Sequence, residues 1–490
     1  MTATLPLLLL LCPLIPALVI FFLREESDLL RTVINLGSAV LKLLLIAWTI
    51  EGVVRGEIFE YRLEFVPGLY LLLRVDALSL LFITLSSFLW LITTVYAIAY
   101  FRGTRNLSRF FGFFNLCVFA TTGIALSGSL ITFFVFYELL TLSTWPLVVH
   151  KGDRKSIAAG RTYLIYTMIG SAALLFGIVW LEGITGPVEF ANDPALDELS
   201  RLSLTVIFVL CIGGLGVKAA MVPFHGWLPQ AMAAPAPVSA LLHAVAVVKA
   251  GAFGIVRFIY DVYGIERVSE LSLGPPLAIV ASITIIYGSL RALQQTDIKR
   301  RLAFSTVSQV SYIALGASLA GPFATIGGLV HLVHQGLMKI TLFFAAGALA
   351  ERRGITSVDQ MVGAGRRMPL TMLAFSIGAL GMIGIPPIAG FVSKWYLGIG
   401  AVQGGYTWVL LVLAGSSLLN AAYFLPLLYR AWFMAPVASD EPTSAGEGPA
   451  DLIAPALVTA LASLAVGLFA GFALSPLGWA TLIVEDQYTP

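Results

Sequence analysis

Residues 214–251 read "GLGVKAAMVPFHGWLPQAMAAPAPVSALLHAVAVVKAG", and this stretch decides how the rest of the chain is interpreted. It is apolar enough for a membrane interior, yet it carries Lys218 and Lys249. Pro223 and Pro229 interrupt it, and a proline inside a helix removes a backbone hydrogen bond and breaks or kinks the helix. An ionisable group at bilayer depth costs several kcal/mol and is normally kept only where it meets a polar cavity or a partner. Each lysine is therefore expected to have a function.

The composition of the whole chain is that of a polytopic membrane protein. Hydrophobic residues make up 58% of its 490 residues and charged residues only 11%, and apolar segments long enough to span a bilayer recur from end to end. The net charge of +2 indicates neither a nucleic acid nor an acidic partner. The first apolar segment, Thr4 to Phe22, is followed by charges without a small-residue cleavage pattern, so we expect a retained first helix.

Catalytic chemistry is not indicated within this chain. The three cysteines lie far apart, which argues against a clustered iron–sulfur or structural zinc site. No glycine-rich nucleotide-binding fingerprint follows a predicted strand, and no nucleophile elbow is visible. The histidines lack converging carboxylates or thiolates for a transition metal. We expect no metal and no cofactor, and any electron transfer would belong to a partner protein.

The hydropathy pattern predicts an all-α membrane protein of about fourteen transmembrane helices. The predicted helices cover residues 3–23, 29–50, 76–100, 109–127, 129–149, 158–181, 202–232, 236–260, 275–295, 301–320, 322–350, 368–402, 406–433 and 451–478. Segments 202–232 and 368–402 are too long for one crossing and contain Pro223 and Pro229, and Pro386 and Pro387, respectively. Both are predicted to be broken helices, because unwound backbone at membrane depth is tolerated where it lines a cavity.

The two breaks occupy corresponding places if helices four to eight are repeated by helices nine to thirteen. Because five helices is an odd number, the second unit would be inverted, as in many transporters. We therefore predict N-terminal helices in 1–107, a first five-helix unit in 108–261, a second in 262–433, and a C-terminal loop and last helix in 434–490.

Basic residues in the short connections predict the orientation. The strongly basic loops share one side under this helix count, and they hold Arg102, Arg105, Arg109, Lys151, Arg154, Lys155, Arg161, Lys299, Arg300, Arg301, Arg352, Arg353, Arg366 and Arg367. The acidic connection 182–201 falls on the opposite side. The sequence therefore predicts a multi-pass protein of the cytoplasmic membrane, with both termini on the outer side.

Few ionisable residues lie inside the predicted spans, and these are the candidates for function. They are Glu138, Lys218, Lys249, His243, His331, His334, Lys339 and Lys394. Glu138 could be held by hydroxyl groups, but a lysine partner, Lys218, is the preferred interpretation. The lysines could instead extend to an interface, although their depth makes this difficult. For Lys42 the structural and functional interpretations remain equally open, as they do for His243.

Histidines in two places invite different interpretations. His331 and His334, three residues apart on one helix face, suit a hydrogen-bonded pair or a proton relay. Lys339 falls ~140° round an ideal helix from His334, and a local bulge at Gly336 would bring it back to that face. His225, next to Trp227 between two prolines, is expected to shape the broken segment and only to support a relay.

Together these side chains suit proton movement. Unit charges on neighbouring helices, ~8–10 Å apart, interact by about 1.7 kcal/mol at an effective dielectric of ~20. That energy exceeds one pKa unit, so the charge on one group can make the next release or accept a proton. Burial already favours the neutral form of each lysine. The sequence therefore predicts a row of titrating side chains connected by water at the helix breaks.

Five motifs resemble one superfamily, the antiporter-like subunits of respiratory complex I, membrane-bound hydrogenases and multisubunit Mrp sodium/proton antiporters. They are "FYELLTLSTWPLV", the stretch quoted first, "TDIKRRLAFSTVSQVSYIALG", "HLVHQGLMKITLFFAAG" and "GIPPIAGFVSKWYL". The resemblance covers most of residues 76–430. It implies fourteen core helices with two inverted five-helix units, and partners that are other membrane subunits. It also implies a Glu138–Lys218 pair, a central Lys249, a connecting region from His331 to Lys339, and a terminal Lys394 at the outer exit.

The branch within this superfamily is a further expectation. M-type complex I subunits usually have a glutamate where Lys394 stands, which argues against that branch. The five-residue spacing of His334 and Lys339 resembles the D-type member of the Mrp antiporters, although His243 followed by Lys249 departs from its pattern. An N-type or hydrogenase-type proton-pumping subunit is the alternative, and a stand-alone solute transporter or a structural subunit with idle charges are alternatives of other classes. Transport of sodium is left open.

Overall fold

The computed structural model describes residues 4–190, 195–435 and 446–488. Within these residues, eleven helices are long and apolar enough to cross a membrane. This count does not confirm the predicted total of about fourteen. Leu5–Phe21 and Pro369–Ile383 are apolar but shorter. Ile298–Ser318 is not among the eleven, because it carries three basic residues in its first turn and many hydroxyl side chains.

Helices dominate the fold, and the long ones overlap the predicted segments, whereas the short helices Ile265–Glu270 and Ala364–Arg367 and most of Pro476–Tyr488 lie outside them. The α-helices, in chain order, are α1 Leu5–Phe21, α2 Asp28–Val54, α3 Ala77–Tyr100, α4 Leu107–Leu126, α5 Leu130–Val148, α6 Arg154–Thr185, α7 Arg201–Lys218, α8 Trp227–Gln230, α9 Ala236–Ala240, α10 Val247–Arg257, α11 Ile265–Glu270, α12 Gly274–Leu293, α13 Ile298–Ser318, α14 Pro322–Arg353, α15 Ala364–Arg367, α16 Pro369–Ile383, α17 Ala389–Gln403, α18 Trp408–Phe433, α19 Ala450–Leu468 and α20 Pro476–Tyr488. Two π-helical segments, Leu241–Val245 and Phe258–Tyr263, flank α10. The predicted helix 236–260 is therefore continuous along the chain but irregular.

A β-hairpin follows α2, in a segment whose charges predict a loop. Strand β1, Phe59–Val66, pairs antiparallel with β2, Leu69–Val75, and a bulge interrupts the register between Glu64 and Val66. The tight turn is possible because Gly68 adopts a φ of +81°. The all-α fold class is confirmed, and this hairpin is an addition that the predicted helix list did not contain.

Both predicted broken helices are confirmed. Helix α7 ends at Lys218, and the chain continues through an irregular segment before α8. Helix α16 ends at Ile383, where Gly384 adopts a left-handed conformation with φ +95°, and α17 begins at Ala389. A lysine lies beside each break, since Lys218 closes α7 and Lys394 lies in the second turn of α17.

The chain forms two compact units. The first comprises Met1–Thr94, Gly103–Ala220 and Val245–Pro276, and the second comprises Val95–Arg102, Met221–Ala244 and Leu277–Pro490. The predicted division at residues 107, 261 and 433 concerns internal symmetry, which is a different property from compactness, and it stays a prediction.

A buried ion-pair triad stabilises the first unit. Arg257, in the last turn of α10, is 4% exposed and lies 2.7 Å from Asp76 and 2.8 Å from Asp261. Asp76 also accepts a 2.7 Å hydrogen bond from the backbone of Ser79 in the first turn of α3. The triad therefore joins the start of α3 to the end of α10.

Replacing Asp76 by leucine is expected to destabilise the protein by about 3–5 kcal/mol, because it leaves a buried guanidinium short of a counter-charge. Thermal unfolding of the purified protein in detergent measures this effect. Asp153→Leu is the matched control, since Asp153 caps an exposed helix start and forms no ion pair within the described residues. Equal decreases of Tm in Asp76→Leu and Asp153→Leu would contradict a stabilising role of the buried triad.

Candidate functional site

Lys218 lies buried at the C-terminal end of α7. Its Nζ donates a hydrogen bond to the backbone carbonyl of Tyr137 on α5 and lies 3.3 Å from the centre of the Tyr137 ring. A helix C-terminus carries a partial negative charge, which favours a cation there. The aromatic ring adds a cation–π contact. Tyr137 of α5 thus supplies both contacts of this amine.

Glu138 lies next to Tyr137 on α5 and is half-buried. Its carboxylate accepts a hydrogen bond from the hydroxyl of Ser171 on α6. Within the described residues, no ion pair of 4.0 Å or less joins it to Lys218. The hydroxyl contact considered as the alternative is therefore present, while the Glu138–Lys218 pair stays a prediction.

Lys249 lies on α10 and is fully buried. Two residues further on, Gly251 packs so closely on α7 that an added Cβ would lie 2.3 Å from the Ala219 nitrogen and 2.8 Å from the Lys218 carbonyl carbon. Glycine is required at this contact because any side chain would separate the helices. The contact places the Lys249 helix against the end of α7 that carries Lys218.

His243 lies within the first π-helical segment and is fully buried. Its ring packs on Phe343, with the centroids 4.6 Å apart. Neither ring nitrogen has a hydrogen-bond partner among the described residues. Buried polar atoms of this kind are commonly satisfied by water.

The predicted connecting region lies on α14, where His331, His334 and Lys339 are all fully buried. His331 Nδ1 lies 2.8 Å from the hydroxyl of Ser393 on α17. Helix α14 is α-helical throughout, so the predicted bulge at Gly336 is wrong. Lys339 therefore stays ~140° round the helix from His334.

Lys339 contacts α13, from which a hydrogen-bonded chain leads to Lys394. Lys339 Nζ donates to the hydroxyl of Ser305 at 2.6 Å. The Tyr423 hydroxyl lies 2.8 Å from the same Ser305 oxygen and also contacts Asn420 Oδ1. Asn420 Nδ2 and Lys394 Nζ both donate to the carbonyl of Met382, at 3.3 and 3.1 Å. One network of polar groups therefore joins the two lysines.

Lys394 closes the broken end of α16. Its Nζ donates to the carbonyls of Met382 and Ile383, at 3.1 and 2.8 Å, and to the hydroxyl of Ser417 at 2.9 Å. These carbonyls lack helical partners because the helix ends there. Its aliphatic chain packs over Gly384. The break thus creates the acceptors that hold this ammonium.

Tyr312 on α13 connects His331 to this end of the network. Its ring centroid lies 5.0 Å from the His331 ring and 5.6 Å from Lys394 Nζ. Ser393, the partner of His331, is the residue before Lys394. His331 on α14 and Lys394 on α17 therefore share one polar environment.

His225 lies in the segment after the first break, as expected of a residue that shapes it. Its ring packs edge-on against Tyr287, with the centroids 4.9 Å apart. Trp227 beside it is fully buried, and Lys299 donates to the carbonyl of Ala234 at 2.6 Å near the end of the segment.

Sequence reasoning missed the bridging residues of the network, Ser305, Tyr423, Asn420, Ser393 and Ser417. The sequence shows that this part of α13 is polar, because five serine, threonine or glutamine residues lie within Ser305–Ser311, but it does not single out Ser305. Among the described residues, no cluster of three histidine, cysteine or acidic side chains could bind a metal ion.

The fold and these buried charges define a class of polytopic membrane subunits with broken helices and ionisable residues at depth. The chain belongs to the NADH:quinone oxidoreductase/Mrp antiporter transmembrane family, whose model matches residues 127–420. The resemblance stated from the motifs is confirmed at this level.

Similar proteins come from several complexes. NADH-quinone oxidoreductase subunit N of Desulforudis audaxviator (strain MP104C) is 35% identical, and the match covers 96% of each chain. A chain of the Mrp complex from Dietzia sp. DQ12-45-1b has 27% identity and a TM-score of 0.86, covering 99% of this chain and 98% of that one. A chain of the membrane-bound sulfane sulfur reductase, an archaeal respiratory membrane complex, has 26% identity and a TM-score of 0.87, covering 98% and 97%. All three are parts of multisubunit assemblies, which fits other membrane subunits as partners of this chain.

Proposed function

We propose that this chain is a proton-translocating subunit of a multisubunit membrane complex. The observation that carries the proposal is the hydrogen-bonded network from Lys339 through Ser305 and Tyr423 to the Met382 carbonyl and Lys394. Ser305 and Tyr423 carry exchangeable hydroxyl protons, whereas the Met382 carbonyl only accepts hydrogen bonds, so a proton would pass between Asn420 and Lys394 through water. The chain itself catalyses no covalent reaction in this proposal.

Charge transfer along the row would couple proton uptake to proton release. The first part of the row consists of Glu138, Lys218 and Lys249. The second part consists of His331, His334, Lys339 and Lys394. A proton added to one amine disfavours the charged form of the next, at about 1.7 kcal/mol for a ~10 Å spacing and an effective dielectric of ~20. His243 and His225 are proposed to support the row.

Two assemblies are candidates for the complex. An Mrp-type sodium/proton antiporter, with this chain as its D-type member, is supported by the spacing of His334 and Lys339 and by the likeness to a chain of an Mrp complex. A redox-driven complex is supported by the likeness to subunit N of an NADH-quinone oxidoreductase over nearly the whole of both chains. The first would exchange protons for sodium, and the second would pump protons during electron transfer.

Purification of the tagged chain in mild detergent, from its native membrane, distinguishes the two candidates. Co-purification of iron–sulfur proteins, with proton uptake driven by an electron donor, would indicate a redox complex. Co-purification of membrane subunits alone, with sodium-driven proton exchange in proteoliposomes, would indicate the antiporter. Solute uptake by this chain alone would contradict both.

Replacing Lys249 by alanine is expected to reduce proton translocation by the assembled complex to background, as is replacing Glu138 by alanine. The measurement is fluorescence quenching of a pH-sensitive dye in inverted vesicles, together with the amount of assembled complex. Lys151→Ala, in an exposed loop, is the matched control. Unchanged proton translocation with intact assembly would instead support a structural subunit in which Lys249 and Glu138 take no part in transport.

Gly384→Ala is expected to lower proton translocation roughly tenfold without preventing assembly. An alanine Cβ would lie 2.9 Å from Lys394 Cδ and 3.3 Å from its Nζ, in a conformation with φ +95° that costs a non-glycine residue about 1–2 kcal/mol. Gly398→Ala on α17 is the control, because its Cβ would meet only ordinary contacts at 3.6 Å or more. Equal rates of proton translocation in Gly384→Ala and Gly398→Ala would show that the surroundings of Lys394 do not affect transport.

The cytoplasmic membrane is the proposed location, with both termini outside and the basic loops inside. The alternation of basic and acidic connections supports this orientation. Thiol labelling of a cysteine introduced at exposed Lys151 would test it, since only a reagent admitted to the cytoplasmic side should react.

A further inference from the structure

A buried polar stripe runs along α2, outside the proposed relay. Arg31, Asn35, Ser38 and Lys42 follow one another at intervals of four, three and four residues, so they share one helix face. All four are buried. The rest of the helix surface carries exposed apolar residues, including Leu41 at 52%. An apolar stripe would pack this helix at lower cost, because buried polar groups are unfavourable unless they are satisfied.

Helix α4 carries a matching stripe of Ser108, Asn115 and Thr122, spaced seven residues apart. Arg31 Nη1 donates to Ser108 Oγ at 2.9 Å, and Asn115 Nδ2 donates to Asn35 Oδ1 at 2.7 Å. Further along both helices, Lys42 Nζ donates to Thr122 Oγ1 at 2.6 Å. The three contacts advance together along both helices, so α2 and α4 are parallel. We call this set of side chains the α2–α4 seam.

Lys42 lies at the inner end of the seam. It is fourteen residues from Asp28, the first residue of α2, which places it ~21 Å along this 27-residue helix and close to the helix midpoint. Besides the Thr122 hydroxyl, its amine faces the Trp90 ring, whose centroid is 5.4 Å away. The amine donates one hydrogen bond there, and an added proton would be stabilised by the ring.

Two buried polar atoms indicate that the seam contains water. Asn115 Oδ1 and Trp90 Nε1 have no hydrogen-bond partner among the described residues. Leaving such an atom unsatisfied costs about 1–3 kcal/mol, and buried water is the usual remedy. Trp90 is the ring that faces Lys42, and Asn115 lies one step of the seam closer to Asp28.

The other end of the seam meets exposed charged groups. Arg31 pairs with Asp28, whose side chain is 75% exposed. The carboxylate of Glu25 accepts hydrogen bonds from the backbone nitrogens of Leu107 and Ser108, at 2.9 and 3.2 Å, and so caps α4. Acidic side chains therefore lie at the entrance, where they would raise the local proton concentration.

We propose that the α2–α4 seam is a hydrated proton entrance that leads from Asp28 to Lys42. A hydronium ion entering the seam gives its proton to the lone pair of the Lys42 amine, and the resulting ammonium is held by Thr122 and Trp90. No other bond changes in this step. The identity of the ion rests on the proposed function, whereas the hydration of the seam does not.

Thiol labelling of the assembled complex tests the hydration. In a background with Cys12, Cys117 and Cys211 replaced by alanine, single cysteines are introduced as Ser108→Cys, Asn115→Cys and Leu41→Cys. A small membrane-impermeant methanethiosulfonate reacts only with thiolates in contact with water. We expect Ser108→Cys and Asn115→Cys to react from the Asp28 side, with Asn115→Cys at least tenfold faster than Leu41→Cys. Reaction at Ser108→Cys alone would show a dry seam and overturn the proposal.

Transport measurements test the role of Lys42. Lys42→Met is expected to lower proton translocation at least fivefold, with Thr49→Val, a buried variant of α2 beyond the seam, as the control. A hydrated seam with wild-type transport in Lys42→Met would also overturn the proposal. If the wild-type complex moved no protons, the proposed function would fail while the labelling result still decided whether the seam is open to water.

Discussion

Replacing Lys339 by methionine is expected to lower proton translocation at least about a hundredfold, the size typical of removing a positioned proton donor or acceptor. Methionine preserves most of the side-chain volume, so the buried packing on α13 should survive. The variant removes the only side-chain nitrogen that contacts Ser305 Oγ among the described residues. Dye quenching in vesicles that contain equal amounts of assembled complex measures the effect.

The matched control is Lys151→Met, which removes a lysine from an exposed loop and should leave translocation unchanged. Lys339→Arg should also be inactive, because a guanidinium does not release its proton at physiological pH. Wild-type rates in Lys339→Arg would show that a fixed charge suffices at this position and would contradict a relay through Lys339.

Tyr423→Phe is expected to reduce the rate of proton translocation at least about tenfold. This is a smaller loss than is usual when a proton-transfer group is removed. The change removes a single oxygen, yet that oxygen lies between Ser305 Oγ, at 2.8 Å, and Asn420 Oδ1. Because a phenyl ring neither donates nor accepts a proton, the connection from Lys339 to the Met382 carbonyl would be interrupted. The rate of dye quenching and the Tm of the complex should be measured together.

Tyr429→Phe, further along α18 and 60% exposed, is the control and should be silent. A loss of translocation in Tyr423→Phe with a matching loss of Tm would indicate a structural role for the hydroxyl. Full activity in Tyr423→Phe would show that protons bypass this network.

The membrane-spanning helices were predictable because few structures can cross a bilayer. A run of about 20 apolar residues has few alternatives to a spanning helix, and paired prolines indicated where α7 and α16 end. The hairpin Phe59–Val75 was missed because its many charges resemble those of a loop, although β-favouring residues flank Pro67 and Gly68, a common turn signal. The count differs in part because Ile298–Ser318 is polar for a spanning helix.

The ionisable members of the candidate site were also predictable, since charges inside apolar runs are rare. Their connections were not. Serines in membrane helices commonly bond to the carbonyl one turn before them, so nothing in the sequence distinguishes Ser305 as a bridge. The bulge expected at Gly336 was wrong because Lys339 finds its partner on another helix. Glu138 likewise meets Ser171, a residue thirty-three positions away that no local pattern relates to it.

Lys394 Nζ lies among three acceptor oxygens, and this number matches one protonation state of the side chain better than the other. An ammonium group has three N–H bonds, one for each oxygen, whereas a neutral amine has only two. Whenever this nitrogen gives up its proton, one of the three oxygens must lose its donor and turn to water or to a neighbouring hydroxyl. Loss of the proton from Lys394 therefore changes the local hydrogen bonds as well as the charge. Vibrational spectroscopy of the amide carbonyls of Met382 and Ile383 would detect both changes.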